Sequence, residues 1–445
     1  MSTRSEKMLK FFNEHKSYMD KRVNTGIELY RKGIAKFIVI DADGNTVKNV
    51  EIKINQKTHD FRFGANIFML DEMESDAKNA EYKKYFKNLF NLATLPFYWC
   101  DLEPEKGKLR FAKDSTKVYR RPAPDLCIEF CEENGIEPKL HCLNYDQWTP
   151  TWVSSDVPTV KKHLDKRIKE IAKRYCDKIP TMEVVNESLH DETYDDTRHS
   201  TLFFKEPDFV EWGFETARRY LPTTKLIINE ATPYVWQEWY KLNRSAYYLQ
   251  IERALQKGAS IDSIGMQYHS FNSAETEEKL AKFIYNPKHI YDVMDTYSDF
   301  NKPLQITEIT IPAYTDKEED EQLQAEILTN LYKIWFSHPN MEAIIYWNLV
   351  EGYAAFAQPG DMTCGENYFR GGLLRFNLSP KPAYKALDKL INHEWRTNIE
   401  TISDGNFEIK AFYGNYDVEI TVGGKTQNRV IHIEKGADNK FIFNI

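Results

Sequence analysis

Two glutamates close apolar, β-branched runs that lie far apart in the chain. Met182–Ser188 reads Met-Glu-Val-Val-Asn-Glu-Ser and delivers the polar pair Asn186-Glu187 at its end. Pro303–Ile311 reads Pro-Leu-Gln-Ile-Thr-Glu-Ile-Thr-Ile and carries one acid, Glu308. Runs of this kind are what buried parallel strands look like. Two carboxylates at the mouths of separate strands are the minimum for retaining glycoside hydrolysis, in which they stand about 5 Å apart. Glu308 would attack the anomeric carbon. Glu187 would protonate the leaving oxygen and then take a proton from water. An isolated Asn-Glu is more often a helix start, so the position of the two strands in the chain has to decide.

Those strands fall in a regular series. Apolar runs recur at Phe61–Phe68, Phe90–Trp99, Pro138–Tyr145, Met182–Ser188, Lys225–Ala231, Ser263–His269, Leu304–Ile311 and Ala343–Val350. Charged segments with helical spacing separate most of them, as in Val160–Cys176 and Glu318–Phe336. Eight such alternations predict a (β/α)8 barrel over residues 61–392. An open doubly wound sheet fits less well, because no Gly-rich phosphate loop follows an early strand. Glu187 then ends strand four and Glu308 strand seven, which face each other across the mouth. Ile227-Ile228-Asn229-Glu230 repeats the apolar-apolar-Asn-Glu pattern at strand five. Glu230 is therefore a rival to Glu187, set aside only by the strand count.

The ends of the chain have other periods. Met8, Phe12, Met19, Val23, Ile27 and Tyr30 recur at mostly three- and four-residue steps, so residues 1–33 predict an amphipathic helix closed by Gly33, lying on the outside of the main domain. Residues 34–60 alternate about an Asp43-Gly44 turn and predict a hairpin, and residues 393–445 predict a small meander. Together these strands are expected to form an accessory β-sandwich beside the barrel, structural rather than sugar-binding. The net charge of −8, with interspersed signs, offers no basic stripe for nucleic acid, and no apolar run is long enough to span a membrane. The six cysteines show no repeated spacing that would hold zinc, and no cofactor motif or obligate protein partner is evident. The first residues lack the apolar core of a signal peptide, which predicts a cytoplasmic protein or a trimmed form of a secreted or periplasmic one.

Several ordered motifs resemble glycoside hydrolase family 10, the endo-β-1,4-xylanases, over about residues 90–392. Val184-Val185-Asn186-Glu187 is similar to that family's acid/base motif and Gln305-Ile306-Thr307-Glu308 to its nucleophile motif. Ile264-Gly265-Met266-Gln267-Tyr268-His269 resembles its strand-six motif, and Lys381-Pro382-Ala383-Tyr384 its final helix. The resemblance implies that His141, Asn186, Gln267, His269 and Trp347 surround the sugar at the cleavage point. In such a site Asn186 would bond a sugar 2-hydroxyl and His269 would hold Glu308 ionised.

The chain departs from the family where the glycone is held. Leu95-Pro96-Phe97-Tyr98-Trp99 lacks the family's polar grips, Tyr145-Asp146 replaces Trp-His, and Ala354-Ala355-Phe356 stands for a second tryptophan. Tyr145, Asp146 and Asn229 complete the candidate substrate-binding set. Trp99, Trp148 and Trp152 are candidates, with Tyr145, for a flat aromatic lining, with simple packing the alternative for each. The expected substrate is a β-linked polysaccharide, xylan or a decorated xylan. Exo-action, transglycosylation and a non-catalytic carbohydrate-binding barrel are the alternatives.

Overall fold

The computed structural model describes residues 3–189, 201–237 and 242–445. Eight parallel strands close into a barrel. In chain order they are Arg62–Asn66, Leu92–Pro96, Glu137–His141, Thr181–Asn186, Lys225–Glu230, Ser263–His269, Leu304–Thr310 and Met341–Tyr346. Five lie inside the apolar runs, and the other three overlap theirs, starting one residue early at Glu137 and Thr181 and two early at Met341. Strands covered on both faces, by packed side chains within and helices without, are predominantly apolar, so they stand out in the sequence. Strand four is wholly buried, and the next residue, Glu187, turns out of the ladder at φ 51°. No helix among the described residues is long and apolar enough to cross a membrane.

The N-terminal segment differs from expectation. It forms two helices, Arg4–Glu14 and Lys16–Tyr30, with a break at His15. The break keeps Phe12, Met19 and Val23 on one buried face, so the apolar spacing runs straight across it. Gly33 does not close the helix. It lies within the strand Lys32–Ile40, where an added Cβ would stand 2.7 Å from the Tyr413 ring. Close packing of a strand, not a left-handed cap, requires this glycine.

The terminal strands form two sheets around a shared core that includes Phe37, Ile52, Ile54, Val418 and Phe443. Lys32–Ile40 and Val50–Gln56 are not hairpin partners, because they lie in opposite sheets. The first pairs with Asn406–Phe412 and Lys440–Asn444. The second pairs with Asn398–Ser403 and Gly414–Val422. Of the C-terminal strands, only Gly414–Val422 and Lys425–Ile433 form a hairpin with each other, at the Gly423-Gly424 turn. Alternation reports a covered face but not the neighbour in the ladder, which explains both corrections.

The sandwich meets the barrel at its bottom, below the N-terminal ends of strands one and eight. Trp395 stacks on Phe336 at 4.1 Å and on Phe63 at 5.7 Å. Buried Arg31 donates to the carbonyls of Phe336, His338 and Met341, so its charge satisfies three acceptors there. Burial lowers the pKa of Arg31 to about 9.

The helix Lys16–Tyr30 lies against Glu318–Ser337, and a Cβ on Gly26 would approach the Ser337 carbonyl oxygen to 2.2 Å. Gly26→Ala should therefore destabilise the fold by about 1–3 kcal/mol through overpacking, read as a lower urea midpoint. An unchanged midpoint would show that this helix is not docked in solution.

Candidate active site

Barrel strands four to seven bring the polar residues of their C-terminal ends around one cavity of about 480 Å³. Glu308, from strand seven, is 3% exposed. Its Oε1 accepts from the Asn229 amide at 2.9 Å, and its Oε2 lies 3.2 Å from His269 Nε2. His269 Nδ1 stands 2.9 Å from the Thr310 hydroxyl, which leaves Nε2–H to donate to Glu308. Glu187 is half-buried. It accepts from the Tyr145 hydroxyl at 2.5 Å and from the Gln267 amide at 2.9 Å.

The two carboxylates belong to one hydrogen-bond chain. Asn229 donates to Glu308 and, at 2.8 Å, to Asn186 Oδ1, while Gln267 donates to Asn186 at 3.3 Å and to Glu187. A buried network of this kind fixes every amide it contains. Glu187, Glu308, His141, Tyr145, Gln267, His269 and Trp347 all line the cavity, as does Trp148.

Other sequence candidates stand elsewhere. Asn186 and Asn229 lie one layer behind the cavity wall, and Asn229 serves Glu308 and Asn186. Asp146 accepts from the backbone N–H of Thr201 at 2.9 Å and does not line the cavity. Trp99 and Trp152 pack edge to face at 5.9 Å and donate to the carboxylate and the carbonyl of Glu103. They are packing, not lining. Phe68, Tyr98, Arg120, Arg121, Phe271 and Glu366, which line the cavity, were not among the candidates. Arg120 and Arg121 come from the long connection after strand two, where no strand or helix period marks a side chain's direction.

Behind His141 lies a second network. Its Nδ1 bonds Glu183 at 2.5 Å and its Nε2 bonds the Tyr98 hydroxyl at 3.1 Å. Lys139, also fully buried, forms an ion pair with Glu183. Burial opposes ionisation of Glu183, but Lys139 and His141 outweigh it and hold the carboxyl below the usual carboxylate range. Burial likewise lowers His141, yet the negative charges of Glu183 and Glu308 raise it overall. His141, Glu183 and Glu308 approach one another closely enough to suggest a cation site. Lys139 already meets the charge of Glu183 there.

The chain belongs to glycosyl hydrolase family 10. Residues 55–390 match that family's profile. Among curated relatives, the anti-sigma-I factor RsgI6 of Acetivibrio thermocellus is 25% identical over 428 residues, covering 94% of this chain and 48% of that protein. Endo-1,4-beta-xylanase B of Neocallimastix patriciarum is 26% identical over 284 residues, covering 63% and 30%. The chain thus spans about half the length, or less, of these two relatives. Xylanase 10B from Thermotoga maritima shares the fold, with a TM-score of 0.57 at 21% identity, covering 75% of this chain and 96% of that one.

Within this family-10 barrel, Glu230 does not reach the cavity. It is fully buried and accepts from the N–H groups of Ala231 (2.8 Å) and Leu189 (3.1 Å) and from the Ser188 hydroxyl (3.2 Å). Burial, and then the charge of Glu187, push it up to about 8 against donors that lower it. A carboxyl raised from 4.5 to about 8 binds its proton more tightly when folded. Its contribution to stability is complete below about pH 4.5 and is lost as pH rises through about 8. Glu230→Gln should therefore flatten the fall in unfolding midpoint between about pH 5 and 9, leaving the share due to His141. An undiminished fall in the variant would assign that pH dependence to another group.

Proposed function

We propose that this family-10 chain is a retaining β-glycoside hydrolase, endo-β-1,4-xylanase-like, acting on xylan or a decorated xylan. The observation that carries the reading is the pair Glu187 and Glu308, facing one cavity and linked through Gln267, Asn186 and Asn229. Glu308 attacks the anomeric carbon as the glycosidic C–O bond breaks, and Glu187 gives its proton to the leaving oxygen. Ester formation removes the negative charge of Glu308, so Glu187 can now remain ionised. Tyr145 and Gln267 donate to that carboxylate. Water then passes a proton to Glu187 and attacks the anomeric carbon, which releases Glu308. Among the described residues the Asn186 Nδ2 group is buried without a partner.

The match of nearly the whole chain to a protein named as an anti-sigma-I factor favours a second reading. In it, the cleft binds a β-linked glycan without turning it over, as part of a larger protein. Release of reducing ends from polymeric xylan separates the two. Parallel assay on aryl β-xylosides distinguishes endo from exo action.

Glu308→Ala should lose turnover by about a thousandfold or more even on activated aryl glycosides. Glu187→Ala should keep cleavage of leaving groups that need no proton, and azide should restore its rate by trapping the intermediate. If Glu230→Ala showed the azide-rescued behaviour and Glu187→Ala did not, the assignment of acid and base would be wrong.

A further inference from the structure

Two adjacent cations stand in the cavity wall where a neutral sugar chain has no use for charge. Arg120 and Arg121 are 2% and 6% exposed, and both line the cavity. Arg121 Nε bonds Asp101 at 2.6 Å and its Nη1 bonds the Arg120 carbonyl at 3.0 Å. Among the described residues, Nη2 of Arg121 has no hydrogen-bond acceptor. Its guanidinium lies over the Tyr98 ring at 4.0 Å and stands 5.0 Å from the Trp148 ring.

Arg120 is held in the left-handed region at φ 61°. Its Nη groups bond the Tyr353 carbonyl and Asn348 Oδ1, and its buried Nε has no partner among the described residues. Glu366 lowers the cost of this cation at a distance but bonds Asn348 and Trp347 instead. Asp101 is thus the one carboxylate bonded to the pair among the described residues. A buried cation with incomplete bonding is costly, and so is a non-glycine residue with positive φ. Both at one point of a binding cavity point to a ligand that repays them.

Next to this pair is an aromatic wall that is buried at Tyr98 and open at Phe356. Tyr98 and Trp148 meet at 4.6 Å, and Phe356, 76% exposed, stacks on Trp148 at 5.7 Å and 16°. Aromatic faces take the C–H surface of a pyranose, and a guanidinium takes a carboxylate in a fixed fork. The position also coincides with the departures from the family's glycone contacts, at Tyr98, Tyr145 and Phe356.

We propose that the glycone side of this cleft accepts a uronic acid, whose carboxylate is held by Arg121 and whose ring lies against Trp148 and Phe356. This rests on the hydrolase reading and narrows its substrate to an acidic β-linked glycan. The acid can be a branch on xylan or part of a backbone.

The test measures kcat/KM on xylo-oligosaccharides bearing glucuronic acid and on the same compounds with the carboxyl reduced to the alcohol. A linear β-1,4-linked uronide, with its reduced form, is the second arm. Reduction should lower kcat/KM by about tenfold or more in at least one arm, since a hydrogen bond to a charged group is lost. The arm that responds identifies branch or backbone. In Arg121→Gln the ratio of acid to reduced substrate should fall to near one, with Arg121→Lys intermediate. Equal rates on acid and reduced forms in both arms would overturn the proposal and leave the hydrolase standing. If nothing is cleaved, the hydrolase reading fails on its own. The proposal is then decided by whether the acidic oligosaccharides raise the unfolding midpoint of the wild-type protein more than their reduced forms do. The wild-type comparison needs no variant to fold.

Discussion

One side-chain amide ties the two halves of the mouth together. Asn229 projects from strand five, donates to Glu308 on one side and to Asn186 on the other, and accepts from Thr307 at 2.6 Å. It has room to do so only because strand six carries Gly265 beside it, where a Cβ would stand 2.5 Å from Asn229 Oδ1. A buried amide that bonds three neighbours has one orientation, and so do the groups it holds. From Asn186 the chain passes through Gln267 to Glu187. The relative setting of the two glutamates is therefore a property of four adjacent strands rather than of either loop.

Behind that chain, Lys139, Glu183 and His141 place formal charges deep in the barrel. Each charge is met by its neighbour, which is the condition for keeping ions out of water. His141 also stands 3.9 Å from Glu308, so the inner network puts positive charge near the outer one. Stability and chemistry are separated in space. The Arg31 and Trp395 contacts that join sandwich to barrel are at the bottom, while every cavity-lining glutamate is at the top. That division lets the mouth vary without loosening the junction.

The variation lies in the walls. A tyrosine pair, Trp148, Phe356 and two arginines form the side where the family resemblance predicts polar sugar grips. Phe356, like Glu187 and Arg120, has positive φ. Three cavity-lining residues in a sparsely populated backbone region show that the packing beneath them, rather than local preference, sets their direction.

Much of this architecture was legible beforehand. The eight barrel strands and the place of Glu187 and Glu308 at strands four and seven could be read because strand burial writes itself into composition, whereas His141, Gln267, His269 and Trp347 were named through the resemblance to family 10. The partners of the terminal strands could not, since alternation names a covered face and nothing about the neighbour. Asp146 turns away from the cavity, and Trp99 and Trp152 take packing, the alternative to lining, for a related reason: a loop residue's type does not reveal which way it turns. Arg120 and Arg121 carried no periodic signal at all. Residue order thus determined the barrel and the strand ends, which local burial dictates. Only the folded chain decided which side chains share the cavity, because that depends on hydrogen bonds between residues dozens of positions apart.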